Sequence, residues 1–267
     1  MTPAERLDDL IGILRKMPSA VVAFSGGADS TLLLAAAHQA LGDRVVAVTV
    51  RSCAYPQFEM EEAASFCRER SIRHKVIDFD PMEIPEFVAN GPERCYYCKK
   101  AIFSGICDYA RKGGYDAVLE GSNLDDDSDY RPGRKALSEL GIRSPLKEAG
   151  FSKGDVRSSL RVLGLDAWRK PSGACLATRF PYGERLTREG LKRVQEAERF
   201  LFGFIPAETP LRVRSHGDVA RIETDSGAFA EFARRRAEIA EGLKRIGFAY
   251  VALDLEEYRT GRMNDVL

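Results

Sequence analysis

One stretch near the N-terminus decides the fold: AVVAF-SGGADS-TLLLAAAHQAL, residues 20–41. The valine-rich run 20–24 is typical of a buried parallel strand, and residues 31–41 favour a helix. Glycines in the intervening SGGADS, residues 25–30, let the backbone approach an anion, and the helix N-terminus adds a positive end. The stretch therefore predicts a phosphate-binding loop. It has neither the Gly-Lys-Ser/Thr of a Walker A loop nor the GxGxxG pattern, and the alternative is a tight turn with a serine N-cap.

Strand and helix patterns also alternate along the rest of the chain. A second buried strand is predicted at 44–50, a third strand at 74–80, and a fourth strand with the turn after it at 115–123. Helices are predicted at 4–17, 59–70 and 151–164, the last with Ser152 as its N-cap. Alternation of strands and helices predicts an α/β fold with a doubly wound, mostly parallel sheet. After residue 186 the pattern changes to a helix, a hairpin around 216–218, a helix at 227–247 and a strand at 248–258. We predict one domain over 1–185 and a small α+β domain over 186–267.

Composition excludes several classes of protein. Lys plus Arg and Asp plus Glu both number 40, so the chain has no overall cationic field for holding long nucleic acid. No apolar run reaches the ~20 residues that a membrane span needs. The N-terminal segment MTPAERLDDLIGILRKM carries acids and lacks the apolar region of a secretory signal. We expect a cytoplasmic protein whose six cysteines are thiols, metal ligands or catalysts and not disulfides.

The SGGxDS loop resembles the signature of the PP-loop ATP pyrophosphatases, a family with a HUP-like α/β fold. This resemblance implies cleavage of ATP between the α and β phosphates, adenylylation of an oxygen and displacement of AMP by a nucleophile. The segment EGSNLDD, residues 120–126, resembles the second nucleotide-side segment of that family. The ATP-binding residues that the resemblance implies are Ser25, Gly26, Gly27, Asp29, Ser30, Gly121 and Asn123.

Acidic residues follow the fourth predicted strand. Residues 115–130 hold six acids and no Lys or Arg, and hard carboxylate oxygens suit Mg²⁺. Asp29 is a candidate Mg²⁺ ligand, with a favourable helix-dipole interaction as its alternative role. Asp127 and Asp129 are interpreted as members of a solvated loop.

A basic loop carries a cysteine, KPSGACLATR at 170–179. Residues 151–200 hold eleven Lys/Arg and six Asp/Glu. Lys170 and Arg179 are candidates to face phosphates or developing negative charge, and they favour the thiolate form of Cys175. The alternative is a buried structural cysteine on a solvated basic loop.

Cys95 and Cys98 form a CxxC motif, which indicates zinc, an iron–sulfur cluster or a redox pair. No second CxxC or His pair completes an obvious zinc tetrad. With Cys175 the motif offers three candidate ligands, and three thiolates on a [4Fe–4S] cluster leave one iron open for a sulfide. The sequence alone does not bring Cys175 to the pair.

The whole chain resembles one branch, the LarE family of ATP-dependent sulfur transferases, which build the nickel-pincer cofactor of lactate racemase. The stretches that carry this resemblance are 25–30, RCYYCK (94–99), EGSN-LDD, 143–157, KPSGACLATRFPYGERLT (170–187) and LRVRSHGDVARIE (211–223). The resemblance implies adenylylation of a pyridinium biscarboxylic acid mononucleotide by Mg-ATP and attack by sulfur carried at Cys175.

Two sulfur sources are implied by the family. A lone cysteine at the Cys175 position gives up its own sulfur and becomes dehydroalanine, or three cysteines hold a [4Fe–4S] cluster that carries the sulfur. Because Cys95, Cys98 and Cys175 are all present, we favour the cluster. A homo-oligomer and an external sulfur donor are also expected.

Arg212 and Arg214 alternate along a predicted strand and so point to one face, with Glu223 on the paired strand. The resemblance implies that these three bind the mononucleotide, since Arg forks suit carboxylate and phosphate. The alternative is an exposed sheet face with a cross-strand ion pair.

Three rival functions remain open at this point. A tRNA thiolase shares the phosphate loop and the cysteines, but the zero net charge argues against an RNA-binding surface. An ammonia-dependent amidating synthetase needs no cysteine. A nucleotide-sensing module with a structural metal would show no adenylylation.

Overall fold

The computed structural model describes residues 2–128, 132–171 and 173–265. Its helices are Pro3–Arg15 (α1), Ala28–Leu41 (α2), Gln57–Glu69 (α3), Pro85–Val88 (α4), Arg94–Lys112 (α5), Gly133–Glu139 (α6), Pro145–Glu148 (α7), Lys153–Val162 (α8), Arg188–Leu201 (α9), Ser226–Arg234 (α10) and Arg236–Ile246 (α11). Its strands are Ala20–Ala23 (β1), Val45–Arg51 (β2), Arg73–Asp78 (β3), Ala117–Leu119 (β4), Leu211–His216 (β5), Val219–Thr224 (β6) and Tyr250–Leu253 (β7).

The chain groups into two compact units, and the second is not continuous in sequence. Unit 1 comprises Met1–Ser52, Gln57–Asp80 and Cys95–Lys170, and unit 2 comprises Cys53–Pro56, Pro81–Arg94 and Pro171–Leu267. Residues 171–185, which the sequence assigns to the first domain, thus group with unit 2. The boundary at 185/186 stays a prediction about domains.

Unit 1 contains a four-stranded parallel sheet in the order β3-β2-β1-β4. This confirms the predicted α/β class with a mostly parallel sheet. Ala20, Val21 and Val22 of β1 have no exposed surface, because helices cover both faces of a parallel sheet and leave its central strand without a polar side. Parallel strands end at the same edge, so the loops that follow β1 and β4 are neighbours.

Two helices on this sheet carry caps that the sequence encodes. Thr2 and Glu5 form a capping box at the start of α1, whose buried residues are Leu7, Leu10, Ile11 and Leu14. Ser152, the predicted N-cap, accepts a hydrogen bond from the backbone of Asp155 and begins α8. A side-chain cap satisfies backbone N–H groups that a helix start leaves without partners.

Unit 2 contains a three-stranded sheet in the order β5-β6-β7. Strands β5 and β6 are antiparallel around a turn with Gly217 at φ +59, whereas β7 is parallel to β6. The helix predicted over 227–247 is wrong as a single element, because α10 ends and α11 begins at Arg235. All side chains between Phe232 and Ile239 are exposed, so no apolar contact holds this part of the helix against the core.

Within the described ranges, no helix combines the length and the apolar character that crossing a membrane requires.

Candidate functional site

The loop between β1 and α2 has the geometry of an anion site. Gly26 has φ +77, a left-handed conformation that favours glycine. Gly27 is the N-cap of α2 and provides no side-chain cap, so the N–H groups of the first turn remain available to a ligand. The hydroxyl oxygens of Ser25 and Ser30 are hydrogen-bonded at 3.1 Å, which fixes both at the mouth of the loop.

Gly121, after β4, packs directly on this loop. A Cβ atom at this position would lie 3.0 Å from the backbone nitrogen of Ser30 and 3.2 Å from the carbonyl carbon of Asp29. Only glycine permits that approach without a shift of the backbone. The structure thereby brings together the two segments that the sequence assigned to ATP.

Asp29, in the first turn of α2, is held from two sides. The Asn123 amide, which is buried, donates a hydrogen bond of 3.0 Å to one carboxylate oxygen of Asp29. The ammonium group of Lys153, at the start of α8, forms an ion pair with the other oxygen. Lys153 was missed by the sequence analysis, although the predicted N-cap Ser152 directly precedes it.

Lys170 also lies at the phosphate loop. Its ammonium group donates to the carbonyl oxygen of Gly26 at 2.9 Å and pairs with Glu62 of α3 at 2.6 Å. Lys170 and Lys153 therefore place two positive charges beside one helix N-terminus. Glu62 gives no signal in sequence, because an acid on an exposed helix face is common.

The acidic segment after β4 uses its carboxylates to shape its own turns. Glu120 accepts hydrogen bonds from the backbone and hydroxyl of Ser122, at 3.0 and 2.8 Å. Asp125 accepts from the backbone of Lys153 at 2.8 Å, and Asp126 from the backbone of Asn123 at 3.0 Å. These carboxylates order the segment that carries Asn123.

Two acids of this segment are not fully described. The side chain of Asp127 and the whole of Asp129 lie outside the described residues.

Cys95 and Cys98 lie in the first turn of α5. Residues three apart on a helix share a face, and Cys98 is buried whereas Cys95 is half-buried. None of the six cysteines, all of which are described, forms a disulfide. Within the part of the chain that the structure describes, no group of three or more His, Cys, Asp or Glu is arranged to hold a metal ion.

Cys67 lies in α3 and Cys107 in α5. Burial raises the pKa of Cys67 to about 11 and also raises the pKa of Cys107. Both thiols therefore favour the protonated form, which is the less reactive one.

Cys175, in unit 2, immediately precedes a 3₁₀ turn over Leu176–Arg179. Its carbonyl oxygen accepts a hydrogen bond from the Thr178 hydroxyl at 2.9 Å, and the backbone N–H of Leu176 donates to Ala54 at 2.8 Å. Arg179 donates to the carbonyl of Ala174 at 3.0 Å. These hydrogen bonds hold the backbone on both sides of Cys175.

Arg179 is buried and paired with Glu198 of α9. Two hydrogen bonds of 2.8 and 2.9 Å join the guanidinium to the carboxylate, which also accepts from the backbone of Val213 at 3.0 Å. Burial opposes both charges, but the pair attraction outweighs it, so the pKa of Glu198 is lowered and that of Arg179 is raised. Arg179 is fixed as a cation that organises the Cys175 turn.

Arg212, Arg214 and Glu223 are buried, so the exposed-face alternative is wrong. Arg214 donates to Glu223 at 2.9 and 2.6 Å and to the carbonyl of Thr178 at 2.8 Å. The last bond ties the β5–β6 hairpin to the Cys175 turn.

Arg212 lies over the ring of Tyr258, 5.0 Å from its centroid. Burial, followed by the nearby charge of Arg179, lowers the pKa of Arg212. A bound anion would favour the charged form of Arg212 and so oppose the lowering of its pKa.

Two aromatic rings, those of Trp168 and Tyr182, are contacted by guanidinium groups. Trp168 is contacted by Arg161 at 4.0 Å and by Arg169 at 4.7 Å from the ring centroid. Tyr182 is contacted by Arg94 at 4.4 Å.

Comparison with known proteins gives one matching family model and several relatives. The family model of the queuosine biosynthesis protein QueC matches residues 19–87, which include the phosphate loop. The pyridinium-3,5-bisthiocarboxylic acid mononucleotide synthase of Lactiplantibacillus plantarum is 39% identical over 269 residues, covering 100% of this chain and 96% of the relative. An uncharacterized protein of Synechocystis is 39% identical over 266 residues, 98% of both chains.

A more distant relative has a different activity in its name. One component of the glutamine-hydrolyzing GMP synthase of Thermoplasma acidophilum is 26% identical over 198 residues, 68% of this chain and 63% of the relative. The phosphate loop with its supporting residues, together with identity along the full length, shows that the chain belongs to the LarE family of ATP-dependent sulfur transferases, within the PP-loop ATP pyrophosphatases.

Proposed function

We propose that the protein adenylylates a carboxylate of pyridinium-3,5-biscarboxylic acid mononucleotide with Mg-ATP and then replaces the activated oxygen by sulfur. The name of the Lactiplantibacillus relative supports this substrate class. The observation that carries the proposal is the convergence of Gly121, Lys153 and Lys170 on one helix N-terminus without a side-chain cap. Two cations beside free backbone N–H groups suit a polyphosphate ligand.

In the first step, a substrate carboxylate oxygen attacks the α-phosphorus of ATP. The bond between the α-phosphorus and the bridging oxygen breaks, and pyrophosphate leaves with the electron pair. The N–H groups of the loop, Lys153 and Lys170 stabilise the growing charge on the leaving group. Asp29 is proposed as the Mg²⁺ ligand, in which case its ion pair with Lys153 opens when Mg-ATP binds.

In the second step, a sulfur nucleophile attacks the acyl carbon and AMP leaves. Cys175 is proposed to deliver this sulfur, and Arg179 positions it by holding the preceding carbonyl. Arg212, Arg214 and Glu223 are proposed to bind the mononucleotide. Arg212 supports this assignment, because burial disfavours its charge and an anionic ligand would stabilise it.

The sulfur source has two proposed forms. In the cluster form, Cys95, Cys98 and Cys175 would hold a [4Fe–4S] group, which would supply a replaceable sulfide and allow repeated turnover. Thiol donors fit such a group chemically, and Cys95 and Cys98, three residues apart at the start of α5, share a face of that helix. In the sacrificial form, the Cys175 thiolate displaces AMP to form a thioester. Loss of the Cα proton of Cys175 then breaks its Cβ–Sγ bond, so the thiocarboxylate leaves and Cys175 becomes dehydroalanine after one turnover.

The test is incubation with Mg-ATP and the carboxylated mononucleotide, followed by mass spectrometry for AMP and the thioacid. We expect both products from the wild-type protein and from Cys107→Ala, whereas Cys175→Ala should release pyrophosphate and form the acyl adenylate without thioacid. Absence of AMP with this substrate would contradict the proposal. Anaerobically reconstituted protein should hold about four irons per chain if the cluster form operates, whereas intact-mass loss of one sulfur at Cys175 would indicate the sacrificial form.

The likeness to the GMP synthase component keeps one alternative open, an ammonia-dependent amidating synthetase. That chemistry requires no thiol, so full activity of Cys175→Ser with ammonia would favour it. A tRNA thiolase would show a salt-sensitive gel shift with tRNA. Cytoplasmic location, a homo-oligomer and an external sulfur donor stay predictions.

A further inference from the structure

Arg94, at the start of α5 and the end of the second chain segment in unit 2, carries a buried charge. Only 3% of its surface is exposed. Its Nε and Nη1 atoms are buried and have no hydrogen-bond partner among the residues that the structure describes. Burying a guanidinium whose donors have no acceptors costs free energy. No hydrogen bond among the described residues offsets this cost at Nε and Nη1 of Arg94.

The ring of Tyr182 does not provide that explanation. The guanidinium carbon lies 4.4 Å from the ring centroid, a cation–π contact that attracts the charge. Stacking uses the face of the guanidinium, whereas its N–H donors point outward in the plane. The contact therefore orients Arg94 and leaves its in-plane donors for an acceptor.

The backbone around this pair is held in place within unit 2. Asn90, with φ +55 and no exposed surface, accepts a hydrogen bond at its carbonyl from the N–H of Gly183 at 3.0 Å. Its amide group donates to the carbonyl of Pro181 at 2.8 Å, and the N–H of Leu186 donates to Val88 at 2.8 Å. Three bonds thus fix the segment before Cys95 to the segment that follows the Cys175 turn.

We propose that Arg94 is an oxyanion-binding residue, which donates hydrogen bonds to a carboxylate or phosphate oxygen of the bound ligand. Guanidinium forks match both groups, and hydrogen bonds between charged partners are the strong ones. The oxyanion site rests on the burial of Arg94, its unpartnered donors and its contact with Tyr182, and does not depend on the proposed function. The further identification of its source as the ring carboxylate of a pyridinium mononucleotide rests on the proposed function.

The first test asks whether the site exists, independently of the reaction. The full-length protein, with its phosphate loop saturated by the α,β-methylene analogue of ATP, is titrated with inorganic phosphate in a calorimeter. Arg94→Gln should bind phosphate about tenfold more weakly than the wild type, the loss of one charged hydrogen bond. Arg161→Gln is the matched control, because Arg161 also stacks on an aromatic ring, and it should bind like the wild type.

The second test identifies the source of the oxyanion. Nicotinic acid mononucleotide and nicotinamide mononucleotide differ only in a carboxylate against an amide, and the nicotinic acid riboside lacks the phosphate. If the carboxylate is the ligand, the wild type prefers the acid to the amide by about tenfold and Arg94→Gln shows no preference. If the phosphate is the ligand, removal of the phosphate weakens binding to the wild type and not to Arg94→Gln.

Wild-type affinity of folded Arg94→Gln for phosphate and for all three probes would overturn the proposal, as would a wild type that binds none of them. If Arg94→Gln does not fold, Arg94→Lys decides: it keeps the charge but not the fork, and unchanged affinity for every probe would again contradict an oxyanion contact at this residue. Failure of the thiolation assay with an intact, Arg94-dependent phosphate affinity would disprove the proposed function and not this site.

Discussion

The phosphate loop of unit 1 and the Cys175 turn of unit 2 use ion pairs in opposite ways. At the loop, the Lys153–Asp29 pair has side chains that are 29% and 25% exposed. At the turn, the Arg179–Glu198 pair is 3% and 8% exposed. Water screens the first pair, so it can exchange partners with a charged ligand. The second pair has lost its water and cannot be opened cheaply.

This difference separates ligand binding from architecture. We expect Lys153 and Asp29 to contribute little to folding, and we propose them as ligands of ATP and Mg²⁺. Arg179 and Glu198 hold the backbone that presents Cys175. Variants at the phosphate loop and at the Cys175 turn, each compared with a control substitution elsewhere in the chain, test this distinction.

The largest effect is expected for Glu198→Ala. Its removal leaves Arg179 buried without a counter-charge and takes an acceptor from Val213, so the free energy of unfolding should fall by about 3–5 kcal/mol. Urea denaturation followed by circular dichroism measures it. The control is Glu148→Ala, which removes an exposed pair with Arg143 and should cost at most about 1 kcal/mol. Equal losses in both variants would contradict the distinction.

Gly121→Ala should disturb the phosphate loop. Its new Cβ would lie 3.0 Å from the Ser30 nitrogen, which is backbone and cannot rotate away, so the free energy of unfolding should fall by about 1–3 kcal/mol. The KM for ATP should rise at the same time. Gly105→Ala is the control in α5, where nothing lies within 4 Å of the new atom, and it should gain about 0.5–1 kcal/mol. A normal ATP affinity in Gly121→Ala would argue against the loop as the nucleotide site.

Lys153→Gln should separate binding from stability. Because its ion pair with Asp29 is partly exposed, the free energy of unfolding should change by no more than about 1 kcal/mol. The KM for ATP should rise about tenfold or more, since one charged hydrogen bond to phosphate is lost. Lys192→Gln, which removes a surface pair with Glu196, should leave both quantities unchanged. A Lys153 variant that lost stability but kept its KM would assign Lys153 to architecture.

A further effect concerns pH and Cys67. Burial raises its pKa from 9.0 to about 11, so the folded chain keeps a proton that the unfolded chain loses in this range. The contribution of Cys67 to stability is complete below pH 9 and is lost as the pH rises toward 11. The difference in unfolding free energy between wild type and Cys67→Ala, measured by denaturation at several pH values, should shrink across that range. A constant difference would show that the thiol is not buried in solution.

The sequence alone determined the local elements and the residue types at the loop. The valine run of β1 and the capping residues of α1 and α8 encode their structure through short-range periodicity and hydrogen bonding. The glycine-rich turn encodes an anion site by the same local logic, because its positive φ at Gly26 and its helix start depend on neighbours in the chain. Gly121 and Asn123 were predicted as ATP-binding residues only through the resemblance to a known family.

Only the tertiary structure decided which charges are buried and which residues meet. Glu198, Lys153 and Arg94 look in sequence like ordinary surface charges, because burial depends on distant segments that pack on them. The break at Arg235 was also decided there, since it depends on which helix faces find a core. Periodicity reports a pattern along one element, whereas the desolvation that makes Arg179 structural and Arg94 a ligand candidate arises when distant elements exclude water together.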